Sequence, residues 1–167
     1  DIIMANQNPQ PEIYTTTHAF ASAASAGTQN IQTVFTNQNS SEEVRIYSIV
    51  VNRFVTGTGQ DMALSDADFT ARIKVGNSYV PSQAFDISCV MASDSKTIVF
   101  PTPILVLFQQ PISVEVSWNG GFNQTTVGQN ITVRTTLMAE LNTAQVACMA
   151  CGMEHPQSSG CPIGRGA

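Results

Sequence analysis

Charge is what this sequence has least of. Only 11% of its 167 residues are Asp, Glu, Lys or Arg, against about a quarter in an ordinary globular chain. No Lys or Arg precedes Arg45, and the seven basic residues are scattered, with no two adjacent. Phosphate backbones are bound by clustered cations that displace counterions, so direct nucleic-acid binding is not expected. The net charge of −5 points the same way. The aliphatic run "ILVLF" at 104–108 is far shorter than the ~20 residues that cross a bilayer, so no transmembrane segment is expected. The start, "DIIMANQNPQ", has neither the basic nor the apolar stretch of a secretory leader.

Histidine is scarce as well. A nucleophilic site needs a base, most often His, oriented by a third group, and only His18 and His155 are available. The sequence contains no GxSxG, no HExxH and no phosphate-binding loop. Glu115 stands alone on its segment's polar side, without a second carboxylate to share acid and base work. Asp61, Asp66 and Asp68 lack the spacing of a calcium loop and read as a solvated acidic turn. The chain is therefore not expected to be an enzyme.

What replaces charge is neutral polarity. Asn, Gln, Ser and Thr make up roughly a third of the chain. Such surfaces are common in secreted and cell-surface β-proteins and in virus coat proteins, whose surfaces mostly face other subunits. Three Asn-x-Ser/Thr triplets, at Asn39, Asn123 and Asn130, are glycan acceptors only in a eukaryotic secretory pathway.

Period-two alternation runs through the middle of the sequence. In "FTARIKV" (69–75), Phe69, Ala71, Ile73 and Val75 share one side. In "ISVEVSW" (112–118), Ile112, Val114, Val116 and Trp118 do so, with Ser113, Glu115 and Ser117 opposite. "ITVRTTL" (131–137) places Ile131, Val133 and Leu137 together, and "AFDISCV" (84–90) places Phe85, Ile87 and Cys89 together. This is the pattern of half-buried antiparallel strands. "TQNIQTVFT" (28–36) reads as a further strand. "EVRIYSIVVNRFV" (43–55) reads as a long one whose alternation slips near Ser48, the mark of a bulge. "KTIVF" (96–100) and "PILVLF" (103–108) complete the set, with Pro101, Pro103 and Pro111 expected between strands. One helical turn is expected near "DMALSDADF" (61–69).

The fold expected is all-β, an antiparallel β-sandwich of about eight strands arranged as a jelly roll. An immunoglobulin-like sandwich is the alternative, but Cys89 precedes Trp118 with no partner cysteine before it. Residues 1–25 read as an extended N-terminal arm, 26–141 as the sandwich and 142–167 as a cysteine-rich tail.

That tail holds "CMACGMEHPQSSGC" (148–161). Cys148-x2-Cys151 is the turn that brings two thiolates to one tetrahedral ion, with Gly152 where a tight turn wants it. His155 and Cys161 complete a candidate zinc set, Cys148, Cys151, His155 and Cys161, with a structural rather than catalytic role. The order resembles a zinc knuckle, but His155 comes one residue early and the basic and aromatic residues used on RNA are missing. A disulfide and idle reduced thiols remain the alternatives for these cysteines.

Taken together, strand number, neutral surface, extended arm and size resemble single jelly-roll capsid proteins, in particular penton or minor subunits of icosahedral viruses and phages. The resemblance covers about residues 26–141 and is architectural. It implies a structural virion protein that assembles symmetrically with copies of itself and with other capsid subunits, often as a five-fold ring. Genome-lining coat proteins often carry basic arms and this one does not. That favours a place at a vertex, decorating a shell, or in peripheral contact with a viral membrane. A secreted or surface binding module for carbohydrate or protein is the other reading, with Trp118, Tyr47, Tyr79 and Phe122 as the aromatics most able to stack on a sugar.

Overall fold

Among the described residues nine strands form two sheets whose apolar sides face each other. The computed structural model describes residues 9–21, 26–60, 68–87, 96–120, 129–143, 145–147 and 154–156. In chain order the strands are β1 (Gln10–Phe20), β2 (Thr28–Thr36), β3 (Glu42–Val55), β4 (Asp68–Val75), β5 (Ser78–Tyr79), β6 (Phe85–Asp86), β7 (Thr97–Val106), β8 (Pro111–Gly120) and β9 (Ile131–Thr143). A separate two-stranded ribbon joins β10 (Gln145–Ala147) to β11 (Glu154–Pro156).

Sheet A has the order β1-β9-β3-β7, and sheet B the order β2-β8-β4-β5, with β6 also on β4. β5 and β6 pair with opposite ends of β4, Lys74–Val75 and Thr70–Ala71, and act as one interrupted strand. The pairs are nested: β1 with β9, β2 with β8, β3 with β7, β4 with β5 and β6. That is one long antiparallel hairpin. Rolling it brings β9 against β3 and β8 against β4, which is the jelly roll.

The alternating residues explain why the roll closes. Phe69, Ala71, Ile73 and Val75 of β4 are buried, as are Ile112, Val114 and Val116 of β8 and Ile131, Val133 and Leu137 of β9. Each fully buried aliphatic or aromatic side chain contributes about 1.5–3 kcal/mol. At one end Phe20, Phe69 and Trp118 form a three-ring contact that ties β1 of sheet A to sheet B, with centroids 5.2, 5.9 and 6.2 Å apart.

The bulge expected near Ser48 is present. The registers of β3 with both β9 and β7 slip between Ile46 and Ser48. On the β7 side, Ile46 faces Ile104 and Ser48 faces Val99, so residues 100–103 stand opposite Tyr47 alone. This corrects the expectation that Pro101 and Pro103 separate two strands. Both lie inside one strand, β7, at its irregular stretch and on the sheet edge, where a missing N–H costs no ladder bond. Pro111 opens β8. Of the expected "AFDISCV" strand, Phe85–Asp86 form β6 and Ile87 is buried just beyond, while 88–90, with Cys89, lie outside the described residues. Of the expected helical turn, 61–67 lie outside the described residues, while Asp68 and Phe69 begin β4.

The largest correction concerns the N-terminal segment. Residues 10–20 of the expected arm are β1, paired with β9 over eleven residues without a slip. Among the described residues the two sheets thus run from Gln10 to Thr143. β1 escapes the apolar-alternation test because its inward side reads Glu12, Tyr14, Thr16, His18, Phe20. Tyr14 stacks on Phe35 of β2 with ring centroids 4.9 Å apart. His18 is fully buried. Its Nδ1–H donates to the carbonyl of Asn30 in β2 at 3.1 Å, and Nε2 accepts from the Thr135 hydroxyl of β9 at 3.3 Å. Both ring nitrogens of the neutral imidazole are therefore satisfied, and one side chain links β1, β2 and β9.

Burial holds the pKa of His18 below its ordinary value, with the Asn30 carbonyl offsetting part of the effect. The folded chain therefore binds this proton less readily than the unfolded chain, whose His titrates near pH 6.5. Stability is full above that pH and falls as pH drops from about 6.5 towards the lower folded pKa. In urea unfolding between pH 7.5 and 5, the His18→Gln variant is expected to lose less stability than the parent chain. Equal losses in the two proteins would show that His18 does not stay neutral in the fold.

Candidate assembly surface

One end of the sandwich presents apolar side chains on braced loops. The brace is Asn37, just after β2, which is 2% exposed. Its Nδ2 donates to the Glu42 carbonyl at 2.8 Å and to the Val106 carbonyl at 3.5 Å, and its Oδ1 accepts from the Asn39 N–H at 3.0 Å. The Asn37 carbonyl accepts from the N–H of Gln109, whose φ is 62°. The β7–β8 turn is closed from within, since Gln110 Oε1 accepts from the Leu107 N–H at 2.9 Å. A buried amide thus fixes the β2–β3 loop and the β7–β8 turn together.

Leu107 and Phe108 are exposed on this turn, and Leu105 of β7 and Val80, just after β5, are exposed beside it, each of the four by 37–45%. A groove of about 290 Å³ runs between the β5 edge of sheet B and β7 of sheet A, lined by Val75, Val80, Pro103, Leu105, Leu107 and Gln110. It carries no ionised group among these residues. Large exposed apolar side chains gathered in one place mark contact surfaces rather than ordinary scatter.

The outer side of sheet A is mixed. Register places Ile13, Met138, Ser48 and Val99 in one row across β1, β9, β3 and β7, and Ile13 and Val99 are the most exposed apolar members. Nearby, Tyr47 donates to Glu140 at 3.0 Å and Arg45 Nε donates to Glu43 at 2.8 Å.

On the outer side of sheet B, Glu115 stands on the polar side of its strand as expected, but it is not solvent-exposed. Glu115 is 2% exposed. Arg72, opposite it on β4, donates from Nη2 at 2.6 Å and Nε at 3.1 Å to Oε1, and Tyr79 donates to Oε2 at 3.0 Å. The Arg72 guanidinium also lies 4.0 Å from the centroid of the Tyr79 ring. The bond to Glu115 raises the Tyr79 pKa above its ordinary value. These partners are 43 and 36 residues away in sequence, beyond any local pattern.

Of the residues expected to hold zinc, Cys148, Cys151 and Cys161 lie outside the described residues. His155 sits in β11, in register with Val146 of β10. Among the described residues there is no group of three or more His, Cys, Asp or Glu that could hold a metal ion. Of the aromatics considered for sugar stacking, Trp118 packs on the core, Tyr79 is engaged with Arg72 and Glu115, and Tyr47 is engaged with Glu140. Phe122 lies outside the described residues. Among the described residues no helix is long and apolar enough to cross a membrane.

No protein-family model and no curated protein matches the chain. The functional reading therefore rests on the physical arrangement.

Replacing Glu115 by Gln removes the charge that two donors address and is expected to cost about 1–3 kcal/mol in urea unfolding. Tyr79→Phe, which removes one donor, should cost about 1 kcal/mol. An unchanged midpoint for Glu115→Gln would mean the side chain is solvated, as its place in the alternation alone suggests.

Proposed function

We propose that the protein is a structural virion subunit, of penton, minor or decorating type, which assembles symmetrically through its β-sandwich. The observation that carries this reading is the apolar end, where Leu107 and Phe108 are exposed on the β7–β8 turn that Asn37 and Gln110 brace, with exposed Leu105 of β7 and Val80 beside them. An apolar surface presented on rigid loops is suited to packing against another subunit, because little conformational freedom is lost on contact. The jelly roll and the low charge of the chain support the same reading. They are weaker supports, since one architecture serves many functions. The partners are further copies of the chain and other capsid subunits, and the location is the virion.

The test is sedimentation of the purified full chain over a range of concentrations, with Leu107→Asp beside it. The expected result is a discrete symmetric oligomer that the substitution weakens. A monomer at every concentration, combined with tight binding on a glycan array, would favour the carbohydrate-binding module instead.

The tail has a separate proposed role. Cys148, Cys151, His155 and Cys161 bind one structural zinc ion that fastens the C-terminus against its own domain or a neighbour. One equivalent of zinc in the purified protein, lost in Cys151→Ser with the sandwich still folded, is the expected result. A disulfide among these cysteines, or four free thiols in metal-free protein, would exclude it.

A further inference from the structure

Among the described residues the two open sheets leave four strand edges, and three of them are blunted. β7 carries Pro101 and Pro103 and an irregular register. The β5–β6 edge consists of two two-residue pieces. β2 is broken by a slip between Thr33 and Phe35. These are the devices by which sheets avoid edge-to-edge pairing. β1 has none of them beyond Pro11 near its start. Its register with β9 is unbroken, and no described strand is paired along its other side, which β2 approaches at the C-terminal end, where Asn30 bonds His18 and Ala19.

The direction of its backbone groups follows from two contacts. The carbonyl of Asn130, just before β9, accepts from Thr56, just after β3. Even-numbered groups of β9 therefore face β3, and odd-numbered ones face β1, where they meet the even-numbered residues of β1 such as His18 opposite Val133. The carbonyl of Ala19, an odd position, is accordingly turned away from β9 and accepts from Asn30 Nδ2 at 3.0 Å. Successive residues of a strand point their N–H and C=O to opposite sides. Ile13, Thr15 and Thr17 thus direct theirs to the open side. Their side chains stand on the outer side of the sheet, and Ile13 is 61% exposed.

We propose that β1 pairs antiparallel with β1 of a second copy across a two-fold axis, joining two four-stranded sheets into one continuous sheet. This rests on the self-assembly proposed above and names one interface within it. The second copy is favoured over another partner by self-complementarity. A strand paired antiparallel with itself meets the two-fold requirement that residue i contacts j while j contacts i. Registers that set Ile13 opposite Thr15 or Thr17 present β-branched cross-strand pairs, which suit a sheet. They also keep the two Glu12 side chains from facing each other, and Glu12 is the only acid or Lys/Arg in β1. Ile13 and the neighbouring Met138, exposed in the single chain, lie beside the junction.

The experiment uses the full chain, with hydrogen exchange read at residue resolution and sedimentation at rising concentration. The amides of Ile13, Thr15 and Thr17 are expected to slow at least about tenfold as the oligomer forms, because pairing takes them from solvent. Thr15→Pro removes a donor from the open side while leaving the β9 ladder intact. It takes one bond from each copy, so association should weaken about tenfold or more. Ile13→Lys, at an exposed site that does not threaten the fold, should act in the same direction. An oligomer that forms with these three amides exchanging at monomer rates, and that Ile13→Lys leaves unaffected, overturns the β1 interface and leaves self-assembly standing. Absence of any oligomer overturns both.

Discussion

The inward faces of β8 and β9 carry the molecule. Each lies between two neighbours, β9 between β1 and β3, and β8 between β2 and β4. The remaining members of the two sheets attach through β3 or β4. Ile112, Val114 and Val116 from one and Ile131, Val133 and Leu137 from the other are buried between the sheets. These two strands come late in the chain, so the first strands have no partner until the last are made. Thr15 and Thr136 share a hydrogen bond across 121 residues. Closing such loops precedes the reward of contact, which makes folding slow relative to a helical protein of this size.

Polar groups at selected places give this apolar frame its fixed shape. His18 bonds across the two sheets at the β1–β2 corner, Asn37 holds the loops at the apolar end, and Glu115 gathers Arg72 and Tyr79 on the outer side of sheet B. A buried polar group stabilises only the one arrangement in which its partners are placed, since any other leaves it unsatisfied. For a subunit proposed to assemble, loops and edges held in one position lower the ordering cost of each contact.

The sandwich was largely legible in the sequence, and the reasons are specific. β4, β8 and β9 alternate aliphatic with polar residues, and the bulge in β3 shows as a slip of that alternation at Ser48. β1 was not legible, because its inward positions are filled by Glu12, Tyr14, Thr16 and His18, so the aliphatic alternation that marks the other strands is missing. Pro101 and Pro103 suggested a break because proline is expelled from central strands, and an edge strand is the exception. Neither the Glu115 cluster nor the Asn37 brace leaves a local trace, since their partners are fixed by tertiary pairing. The zinc set was read from spacing alone, and three of its four members lie outside the described residues.

The jelly roll is proposed to be a building block of a larger assembly. Electron cryomicroscopy of particles formed by the purified full chain, at a resolution that traces strands, tests this most directly. The prediction is a closed symmetric assembly in which the sandwich is unchanged and its contacts include the apolar end carrying Leu107 and Phe108. Isolated monomers, or particles whose contacts leave that end facing solvent, would contradict it.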